Sequence, residues 1–345
     1  MQFLRSAVVL AVTLAALITG SADAQDKKPI KSGLTPADYV YKLADGIVRR
    51  EVTFYSDDVP CFAVMFFPKG FVASGRKLPG VVLGNGWAGT HLSIEKYGAR
   101  FAEKGLVSMV IDYRGWGGSD GFITLAQKMK NDDGARFTRT EADVIIKRTR
   151  LLPTRQVEDI RNAISYLQGE PGIDPERIGI WGTSSAGGNM MAAAALDARV
   201  KVVALQNPAI GGKNQPGGPL VLRGPMLDDA IRRARYGQGQ EIETGFSVRR
   251  KIDVETSQLM AEFRPFRFVK DVGDRPVLFV IAGNEQLFDN RDHAYAAAEL
   301  LTGPKKILEV PGVTHFEMFS DEPFEISANA AADWFREYFG LNRKP

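Results

Sequence analysis

The sequence predicts an α/β protein in which a mostly parallel central sheet carries helices on both faces. Eight strand-like runs, several of them nearly continuous in Val and Ile, have the pattern of strands buried on both sides. They cover residues 47–55, 62–67, 80–83, 107–112, 178–181, 200–205, 277–282 and 307–310. Helical patterns lie between the later runs, and this alternation of strand and helix predicts the fold class.

Two helices are the clearest in the pattern, because their apolar residues repeat at three- and four-residue spacing. The repeats are Val157, Ile160, Ile164 and Leu167 in one helix, and Ala331, Trp334, Phe335 and Tyr338 in the other. The first two strand runs differ from the rest, since only the turn residues 56–58 (Ser-Asp-Asp) separate them. This short turn predicts an antiparallel hairpin at the edge of the sheet.

Residues 1–24 have the pattern of a secretory signal peptide. A short basic start at Arg5 is followed by an apolar run over residues 7–18 and by Ala22-Asp23-Ala24, a small-x-small cleavage site. An uncleaved anchor is the alternative, but the run is shorter than the roughly 20 residues that a spanning helix needs. We therefore expect an exported protein, periplasmic or secreted, with no stable membrane anchor after cleavage and one domain over residues 25–345.

Composition excludes several classes of protein. The chain has 345 residues, of which 44% are hydrophobic and 25% charged, as in ordinary globular proteins. Its net charge of +3 comes from Lys and Arg residues that occur throughout the chain, which argues against a nucleic-acid partner. Cys61 is the only cysteine, so no internal disulfide can form, and its apolar surroundings predict a buried packing residue. No Cys/His cluster has the spacing of a structural zinc site.

Two segments interrupt the alternation of strands and helices. Residues 121–150 are polar and charged, and residues 210–271 are first Gly/Pro-rich and then charged with scattered Leu, Met and Phe. A structureless loop as long as the second segment is unusual in a compact domain. We therefore predict that residues 210–271 form a mostly helical cap inserted over the sheet.

The stretch RIGIWGTSSAGGNMMAAAA carries the strongest functional signal. An apolar strand runs through a Gly/Ser/Ala turn into an Ala-rich helix, which is the context that a nucleophilic serine on a tight turn requires. Small residues must lie two positions before and after the nucleophile, and Ser184 has Gly182 and Ala186 there. Ser185 is the competitor, but bulky Thr183 precedes it by two. The alternative role for either serine is to cap the helix.

A serine hydroxyl needs a neighbouring base, and the chain contains three histidines. His315 follows the last predicted strand, on a loop that can reach over the sheet to the serine, and we favour it as the base. His293 lies in a predicted helix, where it is interpreted as a surface or packing residue. His91 follows a glycine-rich loop and is placed to line the pocket.

The third member of such a site is a carboxylate that holds the imidazole in one tautomer. This carboxylate is expected just after the last predicted strand but one, residues 276–282. Glu285 is closest to the end of that strand and is preferred. Asp289 is the main alternative acid, and Asp292 is a more distant one.

The oxyanion of the tetrahedral intermediate needs backbone donors. The N–H of Ser185 is one candidate, because it follows the nucleophile directly. The second is the N–H of Trp87, in the loop LGNGWAGT after the third strand, whose glycines allow a close backbone approach. The alternative is that this loop is an ordinary strand-to-helix turn.

These stretches resemble the α/β-hydrolase superfamily, and are most similar to its dienelactone-hydrolase-like, prolyl-oligopeptidase-like and Xaa-Pro-dipeptidyl-peptidase-like branch. The resemblance runs from about Ile47 to the C-terminus and rests on LGNGWAGTH, DYRGWGGSDG, RIGIWGTSSAGG and VPGVTHF. It implies that Arg114 ties neighbouring loops together. The chain departs from the family pattern in Asn85 in place of His, in Ala186 in place of the last elbow Gly, and in Glu as the acid.

The resemblance implies hydrolysis of a small ester, thioester, lactone or short peptide without a cofactor or metal. We expect a serine esterase in which Ser184 attacks the carbonyl and residues 210–271 shape the pocket for an ester-like small molecule. An exported peptidase or amidase of the same fold is the main alternative, and a non-catalytic binding protein on this scaffold is the third. The sequence does not predict an oligomeric state.

Overall fold

The computed structural model describes residues 33–71, 75, 77–87, 89–129, 134–135, 139–212, 219–243 and 251–342. The predicted signal peptide, residues 1–24, lies outside the described residues. So do residues 213–218 and 244–250 of the predicted cap. No helix in the part of the chain that the structure describes is both long and apolar enough to span a bilayer.

Eight strands pair into one central sheet, and two further pairs of strands form separate ribbons. The strands are β1 (Val48–Ser56), β2 (Val59–Phe67), β3 (Leu78–Gly84), β4 (Val107–Ile111), β5 (Phe122–Leu125), β6 (Val144–Lys147), β7 (Ile173–Thr183), β8 (Val200–Gln206), β9 (Glu241–Glu243), β10 (Lys251–Asp253), β11 (Val277–Ala282) and β12 (Lys305–Val310). The sheet has the order β1-β2-β4-β3-β7-β8-β11-β12, and the ribbons are β5-β6 and β9-β10. Within the sheet β2 alone runs in the opposite direction, antiparallel to both β1 and β4, and every other pair is parallel. The eight predicted runs are the eight strands of this sheet, so the predicted mostly parallel sheet is confirmed.

The turn between β1 and β2 has the hairpin geometry that its residue types favour. Asp57 and Asp58 adopt positive φ values of 51° and 60°, and Ser56 pairs with Val59 across them. A two-residue turn with both φ angles positive matches the right-handed twist of the strands it joins. The predicted antiparallel hairpin at the sheet edge is therefore confirmed.

Helices cover both faces of the sheet, as predicted. They are α1 (Glu95–Glu103), α2 (Pro153–Gly169), α3 (Ser185–Leu196), α4 (Pro225–Tyr236), α5 (Val254–Phe263), α6 (Ala296–Leu300) and α7 (Asp321–Tyr338), with 3-10 turns at Pro36–Tyr39, His91–Ser93, Pro265–Val272 and Glu317–Phe319 and a π-helical turn at Arg291–Tyr295. Helices α1 and α7 pack on one face, and α2, α3 and α6 pack on the other. Each face thus has its own apolar core.

The residues that predicted the two clearest helices are the ones that bury them. In α2, Ile160, Ile164 and Leu167 are fully buried. In α7, Phe335 is fully buried and stacks on Phe339, while its ring edge meets Phe101 of α1. Burying a large apolar side chain contributes about 1.5–3 kcal/mol, so these stripes fix both helices on the sheet.

The two segments that interrupt the alternation contain regular elements of their own. The described part of residues 121–150 contains the ribbon β5-β6. The described part of residues 210–271 contains α4, the ribbon β9-β10, α5 and the 3-10 helix Pro265–Val272. That last helix packs against α3, where Pro265 lies against Gly188 and where Val269 and Val272 are fully buried. The C-terminal part of residues 210–271 thus belongs to the apolar core on that face of the sheet.

Arg114 ties the loop after β4 to α2. Its guanidinium lies 2.5 Å from a carboxylate oxygen of Asp159 and 2.7 Å from one of Glu158, and it reaches Asp57 at 3.3 Å. The Arg114 and Asp159 side chains are both about 1% exposed. A buried ion pair is costly to break, because the remaining charge loses its partner.

We expect Arg114→Ala to lower the free energy of unfolding by about 3–5 kcal/mol, because the buried Asp159 carboxyl, whose pKa burial raises to about 6, would lose its ion-pair partner. Arg155→Ala is the matched control. Arg155 also pairs with Asp57 and Glu158, but its side chain is 49% exposed. Exposed pairs contribute about 0–1 kcal/mol. Urea unfolding of both variants measures the difference, and equal losses would contradict the role given to Arg114.

Candidate active site

Ser184 lies in a strained turn between β7 and α3. Its backbone has φ 55° and ψ −124°, a conformation that residues with a side chain rarely adopt. Three backbone hydrogen bonds hold the turn: the Ser184 N–H donates to the Gln206 carbonyl (2.9 Å), and the Ser184 carbonyl accepts from Gly187 (2.9 Å) and Ala209 (2.8 Å). The strain marks Ser184 rather than Ser185, which is already the first residue of α3.

The residues around the turn are small because there is no room for larger ones. A methyl group on Gly182 would lie 2.6 Å from Met190 Cγ and 3.0 Å from the Ala186 carbonyl oxygen. Ala186 itself is fully buried. This close packing explains the Gly-x-Ser-x-Ala pattern that the sequence shows.

The glycine-rich loop after β3 passes directly over the serine. A methyl group on Gly86 would lie 2.9 Å from Ser184 Cβ and 3.6 Å from its hydroxyl oxygen. Asn85 anchors the loop by donating from its side chain to the Ile111 carbonyl at 3.1 Å. Trp87, the predicted second oxyanion donor, is the next residue after this contact. The loop backbone at Gly86 therefore lies beside the Ser184 side chain, and the donor role of Trp87 stays a prediction.

His315 and Glu285 form a buried pair. The imidazole Nδ1 lies 2.7 Å from a Glu285 carboxylate oxygen, and both side chains are about 2% exposed. The other Glu285 oxygen accepts from the Leu287 N–H at 2.9 Å, which fixes the carboxylate. With Nδ1 donating to the carboxylate, Nε2 of the neutral ring is the free acceptor.

The other two acid candidates lie elsewhere. Asp289 is exposed and forms an ion pair with Arg291 at 2.9 Å, whose guanidinium lowers the pKa of that carboxyl. Asp292 lies in the following π-helical turn, beside Gly212. Of the three carboxylates considered, the structure brings Glu285 to His315.

The main chains of Ser184 and His315 are both hydrogen-bonded to the end of β8. The Ser184 N–H is bonded to Gln206, and the next residue, Asn207, donates from its side chain to the His315 carbonyl at 3.2 Å. Among the described residues, no hydrogen bond joins the Ser184 hydroxyl to the His315 ring. Catalytic hydrogen bonds of this kind are often long in ligand-free enzymes and tighten in the complex with substrate.

Asn207 and Gln286 are functional residues that the sequence reasoning missed. Asn207 is fully buried and has a positive φ of 41°. Its amide nitrogen donates to His315, and its side-chain oxygen accepts from the Ala282 N–H at 2.7 Å. The Gln286 side chain accepts from the His315 N–H at 3.0 Å. Two amide side chains thus hold the histidine main chain on both sides. The signal in the sequence is the polar pair Gln206-Asn207 at the end of the apolar strand β8.

The remaining histidines have structural partners. His91 is bonded through Nδ1 to Asp112 at 2.6 Å and packs on the Phe62 ring. Burial lowers the pKa of His91, but the Asp112 carboxylate outweighs this and raises it overall. His91 therefore fixes the loop after β4, and does not act as a base for the serine.

His293 is a packing residue that also orders the loop after β8. Its Nδ1 accepts from the N–H groups of Ile210 (3.1 Å) and Gly211 (3.2 Å), and Phe288 stacks on its ring at 4.4 Å. Burial lowers the pKa of His293 to about 4, so the ring is neutral at neutral pH. The same Phe288 ring meets His315 edge to face at 5.7 Å.

We expect the stability of the protein to fall as the pH drops from about 6.5 to about 4. The unfolded chain binds a proton on His293 in this window and the folded chain does not, so protonation favours unfolding. The pKa difference corresponds to a loss of at most roughly 3 kcal/mol. His293→Gln keeps an acceptor and should flatten the pH dependence of the free energy of unfolding.

His91→Gln is the matched control, with the opposite sign. Because the folded-state pKa of His91 is raised, its contribution is present below the unfolded pKa of 6.5 and is lost as the pH rises. Denaturant unfolding between pH 4 and pH 8 separates the two variants. An unchanged slope in His293→Gln would show that this ring is not buried in its neutral form.

The chain matches known families over most of its length. The model of the acetyl xylan esterase (AXE1) family matches residues 25–211, more than half of the chain, and a model of the alpha/beta hydrolase fold matches residues 152–318. An uncharacterized 31.7 kDa protein of the traX-finO intergenic region of Escherichia coli is 25% identical over 76% of this chain and 92% of its own. The quorum-quenching protein AidA of Acinetobacter baumannii is 32% identical over 52% of each chain.

Solved structures show the same fold. The hypothetical protein PA2218 from Pseudomonas aeruginosa superposes with a TM-score of 0.67 at 20% identity, covering 90% of this chain and 99% of that one. The two family models confirm the expected α/β-hydrolase superfamily, and the solved structure confirms its fold. The chain belongs to the acetyl xylan esterase (AXE1) family of the α/β-hydrolase superfamily, and so to the ester-hydrolysing enzymes of that fold.

Proposed function

We propose that the protein is an exported serine esterase that cleaves carboxylic esters through an acyl-enzyme on Ser184. The observation that carries the proposal is the buried Glu285–His315 pair. Asn207 holds the His315 main chain, and the preceding residue, Gln206, accepts a hydrogen bond from the Ser184 N–H. A positioned base, an acid that orients it and a serine at a strained strand-to-helix turn are the parts that acyl transfer needs. Membership of an esterase family favours an ester over a peptide bond.

In the first half of the reaction, His315 Nε2 takes the proton of the Ser184 hydroxyl while its oxygen bonds to the ester carbonyl carbon. The carbonyl oxygen becomes an oxyanion, and the N–H groups of Ser185 and Trp87 are the proposed donors to it. The intermediate collapses when the bond to the alcohol oxygen breaks, and the imidazolium gives its proton to that alcohol. Glu285 stabilises the imidazolium while it carries the proton.

In the second half, water attacks the acyl-enzyme with His315 again as the base. The ester oxygen of Ser184 leaves and takes the proton back, which releases a carboxylic acid and restores the enzyme. Thioester and lactone carbonyls undergo the same steps. His293 anchors the start of the 210–271 segment beside the site, which supports a role for that segment in shaping the substrate pocket.

The N-terminal pattern supports export to the periplasm or the medium. Nothing in the chemistry depends on the compartment, because the proposed site contains no thiol. Cys61 lies in β2 and is buried, as expected, and burial raises the pKa of its thiol to about 12.

We expect Ser184→Ala to reduce the turnover of 4-nitrophenyl acetate by at least about 1,000-fold, because the nucleophile is lost. The matched control is Ser185→Ala, which keeps the backbone N–H and should stay within about 10-fold of the wild type. A fluorophosphonate probe should label the wild type and Ser185→Ala, and not Ser184→Ala. Labelling at another residue, or turnover that survives in Ser184→Ala, would refute the proposal.

We expect Glu285→Gln to lower kcat by about 1,000- to 10,000-fold with little change in KM. An amide in place of the carboxylate no longer selects the Nδ1–H tautomer and no longer stabilises the imidazolium. Asp289→Asn is the control, because Asp289 is exposed and contacts Arg291. Steady-state kinetics on the nitrophenyl ester decide the case, and a comparable loss in Asp289→Asn would assign the acid to that residue.

A further inference from the structure

The glycine-rich loop after β3 is held near both ends by two consecutive residues, Ile111 at the end of β4 and Asp112 directly after it. At the start of the loop, the side-chain nitrogen of Asn85 donates to the Ile111 carbonyl at 3.1 Å. Just past the end of the loop, the His91 N–H donates to a carboxylate oxygen of Asp112 at 2.6 Å. A movement of the loop away from β4 therefore has to break at least one of these contacts.

The Asp112 carboxylate binds both the main chain and the side chain of His91. One oxygen accepts the His91 N–H, and the other lies 2.6 Å from Nδ1 of the His91 ring. The second oxygen also accepts from the Gly118 N–H at 2.8 Å. Hydrogen bonds to a carboxylate are shorter and stronger than those between neutral groups, so this anchor is a firm one.

Asp112 is itself fixed in place. Its side chain is fully buried, its N–H donates to the Phe62 carbonyl at 2.9 Å, and its carbonyl accepts from the Ser119 hydroxyl at 2.8 Å. A methyl group on Gly117 would overlap the Asp112 carboxylate, so the glycine leaves the space that the carboxylate occupies. Because a buried charge is costly without partners, the carboxylate retains its contacts with His91.

The segment between the two anchors passes the nucleophile. A methyl group on Gly86 would meet not only the Ser184 side chain but also the Thr183 carbonyl oxygen, at 3.1 Å. The Gly89 N–H donates to the Gly86 carbonyl at 3.1 Å, which closes a turn whose second residue is Trp87. Two fixed ends and this internal bond leave the Trp87 N–H few alternative directions.

A role in stability alone is the competing explanation for Asp112. The N–H that it binds belongs to the first residue of the 3-10 turn His91–Ser93. A carboxylate at the start of such a turn is favourable whether or not the preceding loop takes part in catalysis. The two explanations differ in one respect, which is whether loss of the carboxylate weakens binding of an oxyanion at Ser184.

We propose that Asp112 is a positioning residue for the reaction at Ser184, which by holding His91 keeps the Trp87 N–H directed at the oxyanion. This inference rests on the proposed serine esterase function. Backbone donors lower the barrier only when they already point to the place where the charge develops. Asp112 thus acts through the loop, and Asn85 is the anchor at its other end.

Asp112→Asn tests this role, because the amide keeps the shape of the side chain and loses an acceptor oxygen. We expect kcat for 4-nitrophenyl acetate to fall at least about 30-fold with KM within about 3-fold, since an oxyanion donor acts mainly in the transition state. A trifluoromethyl ketone forms a tetrahedral adduct with the serine, and its oxyanion mimics that of the intermediate. Its inhibition constant should rise by the factor by which kcat/KM falls.

Two controls change residues of the loop after β4. Asp120→Asn makes the same substitution at a side chain that is 54% exposed and lies 3.8 Å from Arg148, and both constants should stay unchanged. Arg114→Ala is expected to destabilise the fold, but should leave the inhibition constant unchanged. Unfolded molecules lower the amount of active enzyme, and not the affinity of the folded molecules for the ketone.

Asn85→Ala releases the other end of the loop and provides a second test if Asp112→Asn does not fold. We expect the same parallel loss of kcat/KM and of affinity for the ketone, because the donor is again misdirected. Thermal unfolding shows which variants are folded. An unchanged inhibition constant in folded Asp112→Asn or Asn85→Ala would overturn the positioning role. Failure of both variants to fold would assign the two residues to stability and would also overturn it.

The wild type separates this inference from the proposed function. A wild-type protein that neither hydrolyses the ester nor binds the ketone overturns both. A wild-type protein that does both, together with an Asp112→Asn variant equal to it, overturns the positioning role alone.

Discussion

The parallel pairing of β7, β8, β11 and β12 brings the ends of four strands to one edge of the sheet, and the candidate site depends on this placement. Ser184 follows β7, Asn207 follows β8, Glu285 comes shortly after β11 and His315 comes after β12. In an open parallel sheet the carboxyl ends of the strands are where loops from distant parts of the chain can meet. Residues separated by more than a hundred positions therefore become neighbours without a long connection.

The geometry at this edge has an energetic cost that local hydrogen bonds offset. A non-glycine residue at the backbone angles of Ser184 costs on the order of 1–3 kcal/mol. The turn makes three backbone hydrogen bonds, one to the last residue of β8 and one to the segment that follows it. Asn207, itself at a positive φ, connects that segment to Ala282 and to His315. The segment that bonds to the strained turn of Ser184 thus also holds the main chain of His315.

Much of the fold was accessible from sequence because its signals are local. The eight strands follow from runs such as residues 277–282, which are apolar on both faces and can only be buried in the middle of a layered protein. The turn at Asp57 and Asp58, the stripes of α2 and α7 and the small residues around Ser184 are likewise local patterns. Glu285 lies closer than Asp289 to the end of β11, which favours it as the acid, and the structure shows it in contact with His315.

The parts that escaped prediction are those in which a polar residue acts through a partner distant in sequence. The only local signature of Asn207 is its place in a polar Gln-Asn pair, and its partners lie 75 and 108 residues away. The ribbon β5-β6 lies in a stretch whose overall polarity hides two short aliphatic strands, and its strands pair across the intervening residues 126–143.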